Sequence, residues 1–207
     1  MYTQSLFAIE DVQELHDLVR SYPLATVVVA TPGGLEANLL PLQIAEGSGP
    51  GLLKGHVARA HSLVRSVGGS ADVLAVFQGP NAYISPRWYV NGQRSGRLAP
   101  SWNYVAVEAR GRIRFIEDPD WMRDHLARLT ASQEAHREQP WSLQDASPSF
   151  VDEAAQHLLG FEIDVAQITG KRFLSQQRTQ ADRLSLVKHL AMERSGAAHD
   201  VAALIIP

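Results

Sequence analysis

The chain has 207 residues, 45% of them hydrophobic, and a formal net charge of −3. That length supports a domain with a core of its own, and the mild acidity excludes the broad basic footprint of a non-specific nucleic-acid binder. The absence of cysteine excludes disulfides, thiolate metal sites and cysteine nucleophiles.

The opening MYTQSLFAIEDVQEL lacks a basic segment followed by an apolar run, and no apolar stretch reaches the length of a membrane span. A soluble cytoplasmic protein without membrane contact is the expectation. The first predicted element is a helix. Val12, Leu15, Leu18 and Tyr22 recur at helical spacing with Val19 beside them, Asp11 and Glu14 form a capping-box pair, and Pro23 ends it. Residues 24–30 are rich in β-branched side chains, Pro32-Gly33-Gly34 is a turn, and residues 36–44 return as the partner strand. A second turn at 47–51 precedes a short strand at 52–57, one or two helical turns at 59–67, and a stop at Gly68-Gly69.

Residues 73–78 form an apolar strand that ends in Gly79-Pro80 and continues extended through 81–85, with a loop at 86–100. Residues 104–116 alternate most cleanly. Val105, Val107, Ala109, Gly111, Ile113 and Phe115 share one face, with Glu108, Arg110, Arg112 and Arg114 on the other. Asp118 caps a helix with Pro119 at its first position and an apolar side of Trp121, Met122, His125, Leu126 and Leu129. A loop at 139–147 leads to a shorter helix from Ser147-Pro148 to Gly160, then to a strand carrying Phe161, Ile163 and Val165. Thr179 and Asp182 start a last helix through Leu184, Val187, Leu190 and Ala191, followed by a tail at 196–207. Strands joined by short turns argue for an antiparallel barrel with peripheral helices, mainly β with an α+β character, rather than a doubly wound sheet. Neither G-x-G-x-x-G nor a Walker A lysine is present.

Four segments carry candidate chemistry. GHVARAH (55–61) joins a strand to a short helix, so backbone N–H groups and the Arg59 guanidinium suit an anion; on spacing alone a solvated loop whose arginine pairs with a carboxylate is the commoner reading. FQGPNAYISPRWY (77–89) mixes aromatic rings, amides and a hydroxyl in a turn-rich stretch, which fits a flat heterocycle or a kinked strand with core aromatics. PSWNY (100–104) places Trp102 and Tyr104 on one side and Asn103 on the other, and by itself reads as a strand entry anchored by aromatics. GKRFLSQQR (170–178) is a cationic stretch, either a phosphate or partner contact or a solvated linker. The eight histidines show no H-E-x-x-H or close His/Asp grouping, so no metal is expected. There is no G-x-S-x-G elbow and no helix-turn-helix, and no catalytic residue stands out.

Taken in order, GHVARAH, FQGPNAYISPRWY, PSWNYVAV (100–107), GFEI (160–163) and GKRFLSQQR resemble the PaiB family of negative transcriptional regulators, with ANLLPL (37–42) near the start also fitting. The resemblance covers nearly the whole chain. It implies an FMN-binding split β-barrel, one domain over 1–207 with a helical extension from about 179, working as a homodimer with FMN at the subunit interface. Phosphate contact then falls to Arg59, with His56, Val57 and Ala58 beside it. The isoalloxazine falls to Gln78, Tyr83, Ser85, Trp88, Trp102 and Asn103, with Lys171 and Arg178 reaching from the second subunit. The resemblance carries a regulatory role through DNA or a protein partner. The alternative is an FMN-dependent oxidoreductase, in which the cofactor carries the electrons to a small molecule.

Overall fold

From the N-terminus the elements are β1 (Ala8–Ile9), α1 (Val12–Ser21), β2 (Leu24–Thr31), β3 (Gly34–Pro41), β4 (Gln43–Ala45), β5 (Leu52–Ala58), α2 (Ser62–Val67), β6 (Ser70–Ile84), α3 (Val90–Ser95), β7 (Ser101–Ile116), α4 (Pro119–Glu134), α5 (Pro148–Gln156), β8 (Leu158–Phe173) and α6 (Gln180–Leu190). The computed structural model describes residues 1–45, 49–96, 99–193 and 202–205. The sheet order is β3-β2-β6-β7-β8-β5-β4, with β1 also on β8. The pairs β1–β8, β2–β3, β4–β5 and β5–β8 are antiparallel. The chain divides into two compact units, and β6, β7 and β8 each contribute a part to both. Among the described residues no helix is long and apolar enough to cross a membrane.

One unit comprises Pro23–Val76 and Ala109–Ile168. Its core holds Val27, Val29, Leu53, Ile113, Phe161 and Ile163. The hairpin of β2 and β3 runs in register from Leu24↔Pro41 to Thr31↔Gly34. Thr31 Oγ1 closes its turn by donating to Gly34 O at 2.8 Å, and Gly34 sits at φ 115°, a conformation that favours glycine. The single return strand predicted at 36–44 is two strands. Pro41 has no N–H for a ladder, the N–H of Leu42 donates to Pro23 O at 2.8 Å, and β4 then pairs with β5. Where β7 passes β8, a Cβ on Gly111 would run into the Asp164 backbone carbonyl, so the pair requires glycine there. Asp118 caps α4 as predicted, accepting from Asp120 N at 2.9 Å and Trp121 N at 3.3 Å. The helix predicted to reach Gly160 stops at Gln156, and Gly160 lies inside the sixteen-residue strand β8.

The other unit comprises Met1–Tyr22, Phe77–Glu108 and Thr169–Pro207. Leu15, Val19, Phe77, Val105, Val107, Leu186 and Leu190 form its core. Asp11 caps α1 by accepting from Gln13 N at 2.9 Å, but Glu14 pairs with Arg172 rather than closing a capping box. The predicted loop at 86–100 contains a 3-10 turn, Pro86–Trp88, and the helix α3, which ends at Gly96 with φ 65°. Helix α6 is capped by Thr179 and buries Asp182, Leu186 and Leu190, whereas Leu184 is exposed. Of the predicted tail, only 202–205 belong to the described residues, with Ala202 and Ile205 buried.

Candidate functional site

In the unit built from Pro23–Val76 and Ala109–Ile168, β5 ends at the segment expected to hold a phosphate. Alternation along β5 buries Val57 in the core, leaves His56 half-buried and exposes Ala58 and Arg59. The backbone donors offered by a strand-to-helix junction are largely spent: Arg59 N donates to His157 O and His61 N to Ala58 O, each at 2.9 Å. Helix α2 begins only at Ser62, with the His61 ring capping Leu63 N at 3.2 Å. The side chain of Arg59 donates through Nε to Gln156 O at 2.8 Å, and a terminal nitrogen stands 4.0 Å from Glu117. Both readings of this arginine therefore meet in one residue. It is anchored at Nε and near a carboxylate, yet half-exposed at its charged end, where a guanidinium can still donate to an oxyanion.

His56 has a partner that sequence spacing does not reveal. Its Nδ1 lies 3.0 Å from Nε2 of His125 on α4, 69 residues along the chain. His125 is 1% exposed, and the Trp121 ring stacks on it with centroids 5.0 Å apart and planes 21° apart. Trp121 is itself fixed, donating from Nε1 to Glu162 Oε1 at 2.9 Å. Arg114 also donates to the Glu162 carboxylate, and Lys54 stands 3.8 Å from it. Gly160 makes room for this indole, since a Cβ there would overlap the Trp121 ring. Burial lowers the pKa of both histidines, pushing His125 down to about 4 with help from the charges of His56 and Lys54. Both rings are therefore neutral at neutral pH.

In the unit that carries Phe77–Glu108, the residues expected near a flavin ring separate into an exposed face and an enclosed one. Gln78, Asn81 and Tyr83 are exposed on β6, and Trp102, 52% exposed, faces solvent from β7. Trp102 donates from Nε1 to Asn81 Oδ1 at 3.1 Å, and its ring meets Tyr83 edge-on at 6.0 Å. Ser85 caps the 3-10 turn by accepting from Arg87 N at 3.3 Å, and Trp88 stacks on His189 of α6 at 5.5 Å. Asn103, by contrast, is wholly enclosed. Its Oδ1 accepts from Ser175 Oγ at 3.1 Å and its Nδ2 finds no partner among the described residues. Lys171 lies over the Tyr104 and Phe173 rings at 5.3 and 5.8 Å and donates to Tyr2 O at 3.3 Å. Arg178 covers the Tyr89 ring at 4.3 Å. The segment 170–178 is thus not a free linker: it begins on β8 and folds back over aromatic rings of its own unit.

Each unit, taken by itself, offers donors of a kind that suits one part of FMN. Exposed aromatic edges beside amides suit a flat, hydrogen-bonding ring, and an imidazole nitrogen and a guanidinium end suit a phosphate. Sequence reasoning missed His125, which it placed among apolar residues, and Asn81, whose signal was available: two residues before Tyr83 on a strand, it must share that face.

Comparison with known proteins agrees with this chemistry. Residues 1–167 match the family model described as "Putative FMN-binding domain", which names the same cofactor. "Protease synthase and sporulation protein PAI 2" of Bacillus subtilis is 30% identical over 205 residues, covering 99% of this chain and 96% of that protein. The flavocytochrome Anf3 from Azotobacter vinelandii has the same fold, with a TM-score of 0.63 at 14% identity over 86% of this chain and 73% of its own. So does an FAD and heme binding protein from Mycobacterium smegmatis, with a TM-score of 0.60 at 16% identity over 80% of this chain and 73% of its own. The fold is thus the antiparallel split barrel with peripheral helices, and the chain belongs to the PaiB family, whose domain is the "Putative FMN-binding domain".

Proposed function

We propose that the chain is an FMN-binding homodimer of the PaiB type that regulates transcription in the cytoplasm through DNA or a protein partner. The observation that carries the cofactor is the match of residues 1–167 to an FMN-binding domain, supported by the solvent-facing Tyr83–Trp102 pair. The regulatory part is supported by a relative whose name ties it to protease synthesis and sporulation.

In this reading Arg59, with its Nε anchored on Gln156 O, holds the phosphate together with His56 and the chain at Val57 and Ala58. Gln78, Tyr83 and Trp102 receive the isoalloxazine. Ser85, Trp88 and Asn103 shape the segments that carry them, and Lys171 and Arg178 serve the interface between two copies. FMN, when bound, supplies the redox chemistry. Light scattering on the eluting protein, with flavin absorbance followed in the same peak, tests the assembly: twice the 22.7 kDa chain mass with flavin attached is expected, and a flavin-bearing monomer contradicts it. Salt-sensitive retention of DNA from its own promoter region tests the regulatory part, and no retention with or without FMN refutes the DNA route.

One observation favours the second reading, an FMN-dependent oxidoreductase. His189 Nδ1 lies 2.8 Å from the Ser185 carbonyl, which can only accept, so Nδ1 donates there and Nε2 is left as an acceptor. Its ring stacks on Trp88. Reduction of the bound flavin by NADH or NADPH is the expected result if this reading holds, and no reduction by either argues against it.

A further inference from the structure

The pair His56–His125 has an internal logic that decides what His56 presents to solvent. Four nitrogens share the available protons. His125 Nε2 and His56 Nδ1 face each other at 3.0 Å, so one of them must carry a hydrogen and the other must accept it. The outer nitrogen of His125, Nδ1, is buried with no partner among the described residues. A buried N–H without an acceptor is rarer and costlier than an unfilled lone pair. The proton of neutral His125 therefore belongs on Nε2, directed at His56 Nδ1. His56, also neutral, must then carry its own proton on Nε2. Among the described residues that nitrogen has no hydrogen-bond partner, and it is not one of the enclosed atoms.

We infer that His125 is a positioning residue that fixes the tautomer of His56, so that His56 offers an Nε2–H donor to a phosphate oxygen of the bound ligand. The inference rests on the proposed placement of the FMN phosphate at His56–Arg59. It goes beyond that placement by giving His56 a definite role and by assigning a function to a residue of α4 that never touches the ligand. The surroundings support a fixed ring. Trp121 stacks on His125, Glu162 holds Trp121 through Nε1, and Gly160 leaves space for the indole. The N–H groups of Arg59 and His61 are already engaged, which raises the share of the anion's binding that falls to side-chain donors.

Two measurements test it. Long-range 1H–15N spectra of the flavin-free chain read the His56 tautomer directly, with Nε2–H expected and Nδ1–H overturning the inference. Fluorescence titrations with FMN and with riboflavin, which lacks the phosphate, then isolate the phosphate end. The wild-type chain should prefer FMN. His125→Met, which has no N–H, should lose roughly tenfold of that preference, the scale of one hydrogen bond to a charged group. His125→Gln, whose amide N–H can still donate to His56 Nδ1, should keep it. Preference unchanged in His125→Met overturns the inference, as does its equal loss in His125→Gln with the fold intact by circular dichroism. Equal binding of FMN and riboflavin by the wild-type chain instead overturns the phosphate assignment itself, whatever tautomer the spectra show.

Discussion

Trp102 and Asn81 are joined across neighbouring strands by an indole N–H donated to an amide oxygen at 3.1 Å, although both side chains face solvent. An exposed indole gains little for the fold from such a bond, whereas a fixed aromatic edge is valuable for receiving a flat ligand. Trp102→Leu is expected to weaken FMN binding by roughly three- to tenfold, from the worth of one aromatic contact. It should move folding stability by no more than about 0.5 kcal/mol. Flavin fluorescence titration and urea denaturation of the same preparation check both parts.

His125 makes stability depend on pH. The unfolded chain takes up its proton near 6.5, the folded chain only near 4, because burial disfavours the imidazolium. Between those values the unfolded state binds more protons, so stability is complete above about pH 6.5 and declines as the pH falls toward 4. The loss from this one group approaches about 3 kcal/mol at the acid end. Urea midpoints from pH 7 to pH 4 should fall accordingly, and His125→Gln should flatten the slope.

Ser175 holds a left-handed backbone, φ 64°, and its hydroxyl is the partner of buried Asn103 Oδ1. Glycine would relieve the backbone, by about 1 kcal/mol, but strand the amide oxygen, which costs about 1–3 kcal/mol. Alanine would do the second without the first. Ser175→Ala is therefore expected to destabilise more than Ser175→Gly, and equal losses in thermal unfolding would contradict the strain.

Gly111→Ala places a methyl group against the Asp164 carbonyl, a backbone atom that cannot rotate away. A loss of about 1–3 kcal/mol is expected, against a much smaller one for Gly33→Ala, where the nearest atom is Thr31 Oγ1 at 3.7 Å. Chemical denaturation of the two variants makes the comparison.

The parts of this fold legible in the sequence are those whose signal is local. The alternation from Val105 to Ile113, the Asp118-Pro119 helix start and the turn after Thr31 each state their structure within a few residues. Gly160 shows the opposite case. Read locally it stops a helix; in the fold it is a strand residue made small by Trp121, nearly forty positions away. The helix α3 was hidden by its Gly and Asn content, and is held from outside by Asp182, which accepts from Asn91 N at 3.0 Å. The candidate ring residues Tyr83 and Trp102 were legible because strand periodicity exposes them. The His56–His125 pair was not, since nothing on α4 distinguishes a buried histidine that pairs from one that merely packs.

Quenching of FMN fluorescence by the 207-residue chain reads FMN binding without an intermediate step. Saturable quenching that ends at one FMN per chain, and that weakens in Arg59→Ala, is expected. Quenching that never saturates, or saturable binding that Arg59→Ala and Trp102→Leu both leave unchanged, would contradict it.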